Sequence, residues 1–273
     1  MRTALATIAL NAGLAALAVL TLFPLFWMAA ASLMTAGEAG TWPPPLVPRS
    51  PTLEHYRQLL TDLAIGRQAF NSLAIALSAT LISLLFNSMA GYAFAKLRFA
   101  GRDRVFGLLL LGMIVPGQVG MLPLFLMLKG MGLINSLFGI IVPCMASISG
   151  IFLMRQYALS IPDSLIDAAR IDGAGEFRIF VTLILPLARP VLATLALFTF
   201  MAVWNDFMWP LVVLTDDRLY TLPVALANLA GEHVQDTEMM MAGALLTVLP
   251  VVILFVALQR HYVAGLATGS VKT

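Results

Sequence analysis

The most chemically loaded feature of this sequence is an acid inside an apolar run. Asp206, with Asn205 beside it, is the one acid in the apolar stretch 188–214. An ionised side chain at the centre of a bilayer costs about 3 kcal/mol unless it finds a partner or water. Asp206 is therefore either an inter-helix hydrogen-bond clasp or part of a polar path, and its residue type alone fits both. Asn87 and Gln118, polar residues in two other apolar runs, have the same standing.

Other chemistries find no residues to carry them. His55, His233 and His261 lie far apart, and Cys144 is the single cysteine, so neither a metal-ligand pattern nor a disulfide framework can be written. A phosphate-cradling loop needs lysine directly after glycine. Lys96, Lys129 and Lys272 follow Ala95, Leu128 and Val271 instead. A membrane-embedded enzyme would need titratable groups gathered at one depth, and none are grouped so.

The elements that must hold these residues are apolar helices. Of the 273 residues, 60% are hydrophobic and 11% charged, and the mean hydropathy is +0.92. Soluble domains carry about 25% charged residues, so lipid must be the solvent for most of this chain. The net charge of +2 and the scattered cations give no footprint for nucleic acid. Six stretches reach the length of a membrane-crossing helix: 4–32, 70–95, 105–128, 133–154, 188–214 and 239–258. The first is about twice as long as a signal-peptide core and reads as a retained helix. Pro116, Pro123 and Pro143 mark expected kinks.

This predicts an all-α polytopic membrane protein, one transmembrane domain over 1–273. With the N-terminus in the cytoplasm, Arg49, Arg57, Arg67, Lys129 and Arg218 lie outside, leaving eleven cations inside. The bias satisfies the positive-inside rule, and six spans return the C-terminus to the cytoplasm. The outer segment after the first span is proline-rich, and Leu53, Tyr56, Leu59 and Leu60 then recur at helical spacing. They predict a short surface helix that caps the bundle or docks an external partner. The basic loop 96–104 is expected to anchor helix ends to anionic headgroups.

The inner segment 155–189, between the fourth and fifth spans, is too long for a plain connector. Ser160-Ile161-Pro162-Asp163 reads as a helix start with a hydroxyl cap, proline in the first turn and an early acid. Leu165, Ile166 and Ala169 would form its apolar face, and Gly173 permits a turn. A second helix follows from about Gly175 to Pro186, with Phe177, Phe180, Val181 and Ile184 on one face. The residues fit an interfacial hairpin and a docking elbow equally well.

Read as a string, Asp167-Ala168-Ala169-Arg170-Ile171-Asp172-Gly173-Ala174 followed by Leu183-Ile184-Leu185-Pro186 resembles the EAA motif of ABC importer permeases. The spacing is kept throughout, with Asp167 in place of glutamate and Leu183 in place of isoleucine; aspartate has the shorter reach. Asn87 to Ala95, Trp204-Asn205-Asp206-Phe207, Leu219-Tyr220-Thr221-Leu222-Pro223 and the run from Gln259 to Lys272 are similar to carbohydrate permeases of the maltose-system smaller-subunit type. The resemblance covers the chain from about Phe23 onward and implies a permease domain with its core at about 66–260.

It implies an inner-membrane subunit, multi-pass, that forms half of a sugar pore with a second, unlike permease. It implies two ATPase subunits beneath, which bind ATP and magnesium, and an extracytoplasmic solute-binding protein above. This chain would carry no cofactor and no enzyme activity of its own. Asp167, Ala168, Ala169, Asp172, Gly173, Ala174, Leu185 and Pro186 become the expected coupling helix and its support, and Asn87, Gln118, Asn205 and Asp206 the expected translocation path. The C-terminal tail is a further expected contact of the ATPase pair. An ABC permease for a non-sugar solute is the nearer alternative. An ion-coupled carrier is the more distant one, since it would show repeats and several membrane acids.

Overall fold

A computed structural model describes the backbone of residues 2–61, 63, 65–232 and 236–269, and side chains within 6–257 apart from 62, 64 and 230–235. His233 and the tail 270–273 lie outside the described residues, as do the side chains beyond 257. Among the described residues every regular element is helical. Four helices are long and apolar enough to cross a membrane: Ala6–Ala31, Ile65–Lys96, Phe138–Ser160 and Thr237–Ala257. Two bent pairs, Arg102–Ile114 with Gly117–Gly130 and Glu176–Leu187 with Arg189–Trp204, bring the number to six if each is one span. The chain folds as two compact units.

The first unit comprises residues 1–67 and 222–250. It contains α1 (Arg2–Ala31), α2 (Glu54–Thr61), and, from the later part of the chain, the helix Leu222–Glu232 with the start of Thr237–Gly269. The proline-rich segment after α1 is folded back by buried polar groups. Glu38 accepts from the backbone N–H of Arg49 at 2.8 Å and of Thr35 at 3.1 Å, and Glu238 accepts from Ala39 N at 2.7 Å. The expected apolar face of α2 is corrected by this packing. His55 and Leu59 are the buried residues, because Nε2 of His55 meets the carbonyl oxygen of Met34 at 3.0 Å, while Leu53 and Leu60 point outward.

The second unit, residues 68–221 with 251–273, carries the elbow. Its central element is α3 (Ile65–Lys96), followed by α4 (Arg102–Leu111) and α5 (Met121–Gly130). The expected third span is not one rod, for its two halves meet at 98°. Pro116 forbids its neighbour a helical backbone, and Val115 is accordingly extended at φ −81°, ψ 120°. Pro123 makes no kink. It sits in the first turn of α5, where a missing N–H has no partner to lose.

The fourth apolar helix runs from Phe138 to Ser160 rather than 133–154. It joins α6 (Phe138–Ile141), a tight turn through Pro143 and α7 (Ile148–Ser160), whose first turn is capped by the Ser147 hydroxyl accepting from Gly150 N at 3.1 Å. α3 and α7 touch almost backbone to backbone. A Cβ placed on Gly91 would lie 2.6 Å from the Cβ of Met154, and one on Gly150 would lie 2.7 Å from Cγ of Asn87. Small residues at a helix crossing allow this approach in lipid, where close packing replaces hydrophobic drive.

Candidate functional site

Segment 155–189 opens where α7 ends. The Ser160 hydroxyl donates back to Tyr157 O at 2.7 Å, so it closes α7 and does not cap the following helix, as its sequence position suggests. Ile161 and Pro162 are extended, and α8 (Asp163–Ile171) begins after them. Ile166 is its one fully buried residue, with Ala169 half-buried beside it; Leu165, on the expected apolar face, is exposed. Ala168 is exposed too, as are Asp167 and Asp172.

Gly173 ends this helix in a left-handed conformation, at φ 81°. Its N–H bonds to Arg170 O at 3.0 Å, and Ala174 N bonds to Ala169 O at 3.0 Å. That pair of bonds is the Schellman closure, which satisfies helix-end carbonyls and needs a residue tolerant of positive φ. The chain then reverses into α9 (Glu176–Ile179), a π-helical turn Phe180–Ile184, and α10 (Leu185–Leu187), with α11 (Arg189–Trp204) bent from them by 80°. Pro186 lacks an N–H and its ring crowds the preceding turn; the wider π turn just before it relieves both. The buried face is Ile179, Phe180 and Ile184, whereas Phe177 and Val181 are exposed; the π turn shifts the helical phase between these residues. Leu185 is half-buried and Pro186 exposed. An elbow results, with Ile171 at 86% and Phe177 at 72% exposure on its outside.

Polar groups hold the elbow from within. Arg170 donates through Nη1 to Asp167 at 2.9 Å and through Nε to Glu176 at 2.8 Å. The other oxygen of Glu176 accepts from the Tyr92 hydroxyl at 2.6 Å. Lys96 donates to Ile161 O at 2.6 Å and to Asp163 at 2.5 Å. With its side chain 6% exposed, Lys96 is a tie between elements rather than the headgroup anchor its loop suggests. The ammonium holds the Asp163 carboxyl below the usual carboxylate range. Nearby, the guanidinium of Arg155 lies 4.1 Å above the Phe106 ring and donates to Phe94 O at 3.3 Å. Tyr92, Lys96, Arg155 and Glu176 escape a reading of the sequence. The only local signal is that Tyr92 and Lys96 are one helical turn apart at the end of an apolar run.

The four path candidates do not converge. Asn87 is buried; it donates to Ser83 Oγ at 2.9 Å and accepts from Ser147 N at 2.9 Å, tying α3 to the start of α7. Gln118 is exposed at the α4–α5 bend. Asn205 is exposed and donates to Met201 O at 2.9 Å. Asp206 is half-buried in the break after α11, because the expected fifth span stops at Trp204. It accepts from Trp209 N at 3.3 Å in the first turn of α12 (Met208–Val213). A cleft of 580 Å³ lies between α7 and α11. Ser83, Ser147, Ser149 and Thr199 bring hydroxyls to it, amid Phe152, Leu195 and Phe198.

Residues 87–268, spanning the elbow, match the family described as the binding-protein-dependent transport system inner membrane component. The chain belongs to this family. Its members are transport components rather than enzymes, and the family read from the elbow string is the one found. Across 266 residues this permease is 38% identical to an arabinooligosaccharides transport system permease protein of Halalkalibacterium halodurans, covering 96% of this chain and 95% of the relative. A melibiose/raffinose/stachyose import permease protein of Bacillus subtilis is 32% identical over 253 residues, 91% of each chain. The permease also superimposes on a chain from the crystal structure of a bacterial ABC transporter involved in the import of the acidic polysaccharide alginate. There the TM-score is 0.84 at 26% identity, covering 96% of this chain and 98% of that one.

Proposed function

We propose that this chain is one of two unlike permeases forming the pore of an ATP-driven importer for an oligosaccharide or a related sugar. The observation that carries the reading is near-full-length similarity to oligosaccharide permeases, combined with an elbow whose glycine turn closes at the motif position. On this reading there are six spans, the fifth beginning at Arg189 after the elbow, so that both termini and the elbow lie in the cytoplasm, in keeping with the eleven-to-five bias of cations.

In this arrangement the exposed rim of the elbow, from Asp167 to Ala174 with Ile171 and Phe177, docks into an ATPase subunit that binds ATP and magnesium. Leu185 and Pro186 support it from below. A solute-binding protein delivers sugar on the outer side. Gln118 and Asn205, exposed and without buried roles, are the better candidates for the path, whereas Asn87 and Asp206 shape the helices that flank it. The test is reconstitution of this chain with the permease, ATPase and binding protein encoded beside it. Labelled arabinooligosaccharides and α-galactosides should enter vesicles only with ATP and the binding protein. Uptake by this chain alone, or uptake driven by an ion gradient, would overturn the proposal.

A further inference from the structure

We infer that the elbow is clamped at its entry and at its central turn to the terminus of α3, so that elbow and α3 move as one lever, with Tyr92, Lys96 and Glu176 as its positioning residues. The inference rests on the coupling role proposed above for the elbow. In sequence, the elbow is joined to α7 and α11; Tyr157 of α7 donates to Leu187 O at 2.8 Å, while the ties at the entry and at the central turn run to α3. The link from α7 is the extended pair Ile161–Pro162, which interrupts the helix. The link to α11 is an 80° bend. Helical continuity is therefore broken at both ends.

Polar ties to α3 span the entry and the central turn. Lys96 grips the entry, holding Ile161 O at 2.6 Å and Asp163 at 2.5 Å. Tyr92 grips the start of α9, just past the glycine turn, through Glu176 at 2.6 Å. Four residues apart, the two side chains project from one face of α3. The Tyr92 ring, 4% exposed, packs 5.7 Å from that of Phe180 in a cluster with Ile166, Ile179 and Ile184. Hydrogen bonds to ionised partners are the short, strong kind, and a packed, bonded body of this sort moves as a unit instead of deforming.

The same chain of bonds orients the docking edge. From Tyr92 it passes to Glu176, to Arg170 and to Oδ1 of Asp167. The acid at the motif position is thus aimed by a relay that begins inside the bundle.

The experiment uses the complete reconstituted importer, measuring labelled-sugar uptake and ATP hydrolysis in the same vesicles. Tyr92→Phe removes one oxygen and leaves the ring on Phe180, so folding is preserved; Glu176→Gln and Lys96→Met remove the charges of the two ties. Each variant should still co-purify with its ATPase. Each should also hydrolyse ATP in response to the binding protein, while sugar imported per ATP falls several-fold. An unchanged ratio in all three, or uptake and hydrolysis falling in equal proportion, overturns the lever. A wild-type complex that fails to couple uptake to ATP would instead refute the proposed function itself, so the two failures are distinguishable.

Discussion

Oδ1 of Asn87 accepts the backbone N–H of Ser147 at 2.9 Å, across 60 residues of sequence and between two membrane-length helices. The amide also reaches Ser83 and the Ser147 hydroxyl, and its side chain is 1% exposed. Interhelical hydrogen bonds in lipid are worth about 0.6 kcal/mol on average, while a buried N–H left bare costs about 1–3 kcal/mol. Asn87→Ala is expected to lower the thermal stability of the detergent-purified protein by an amount in that range. The affinity for sugar, read from the concentration dependence of uptake, should stay as it was.

Close approach of α3 and α7 gives a second expectation. A leucine at position 91 would collide with Met154 and with the backbone nitrogen of Arg155, which a Cβ would meet at 2.9 Å. Gly91→Leu should separate the helices and reduce the folded yield in membranes. Gly107→Leu, where a Cβ meets nothing within 4 Å, should leave the yield unchanged. Immunoblotting of membrane fractions measures both.

The turn at Gly173 discriminates conformation from contact. Its φ is 81°, and a Cβ there would touch nothing within 4 Å, so only backbone strain opposes a larger residue. A left-handed conformation costs most residues about 1–2 kcal/mol, and asparagine less. Gly173→Val should insert normally yet lose most ATP-dependent uptake, with Gly173→Asn retaining far more. Equal uptake in the two variants would show that the turn geometry is irrelevant to coupling.

Acid should loosen the entry of the elbow. Lys96 depresses the Asp163 carboxyl, so the tie contributes fully above the usual carboxylate range and is lost as pH falls through the lowered folded-state value. Melting temperature measured from pH 6 down to pH 3 should fall more steeply for the native chain than for Lys96→Met. Identical slopes would mean that the pair adds nothing.

The spans were legible because lipid demands long apolar runs, and the elbow because Gly173 and Pro186 punctuate it. Geometry within the spans was not. Pro116 advertises a kink, but its 98° angle depends on how both halves pack. Ser160 looked like a cap because a hydroxyl before Pro162 can face either way; its bond to Tyr157 decides for the preceding helix. The choice between clasp and path at Asn87, and the role of Glu176, were illegible for a common reason. Their partners lie 60 and 84 residues away, and a polar side chain carries no local mark of the partner it will find. Glu176 in particular reads as an ordinary first-turn acid of a helix, when its principal bonds are to Arg170 and Tyr92.

The π-helical turn Phe180–Ile184 holds one more residue per hydrogen-bonded ring than the helix on either side. Each residue of an α-helix advances the azimuth by about 100°, so excising a single position there would swing Glu176 and all that precedes it round by that angle. Arg170 and Asp167 would then face away from α3 with every other residue intact. Chain length between Phe180 and Pro186, quite apart from composition, is what keeps Glu176 in phase with Tyr92 of α3.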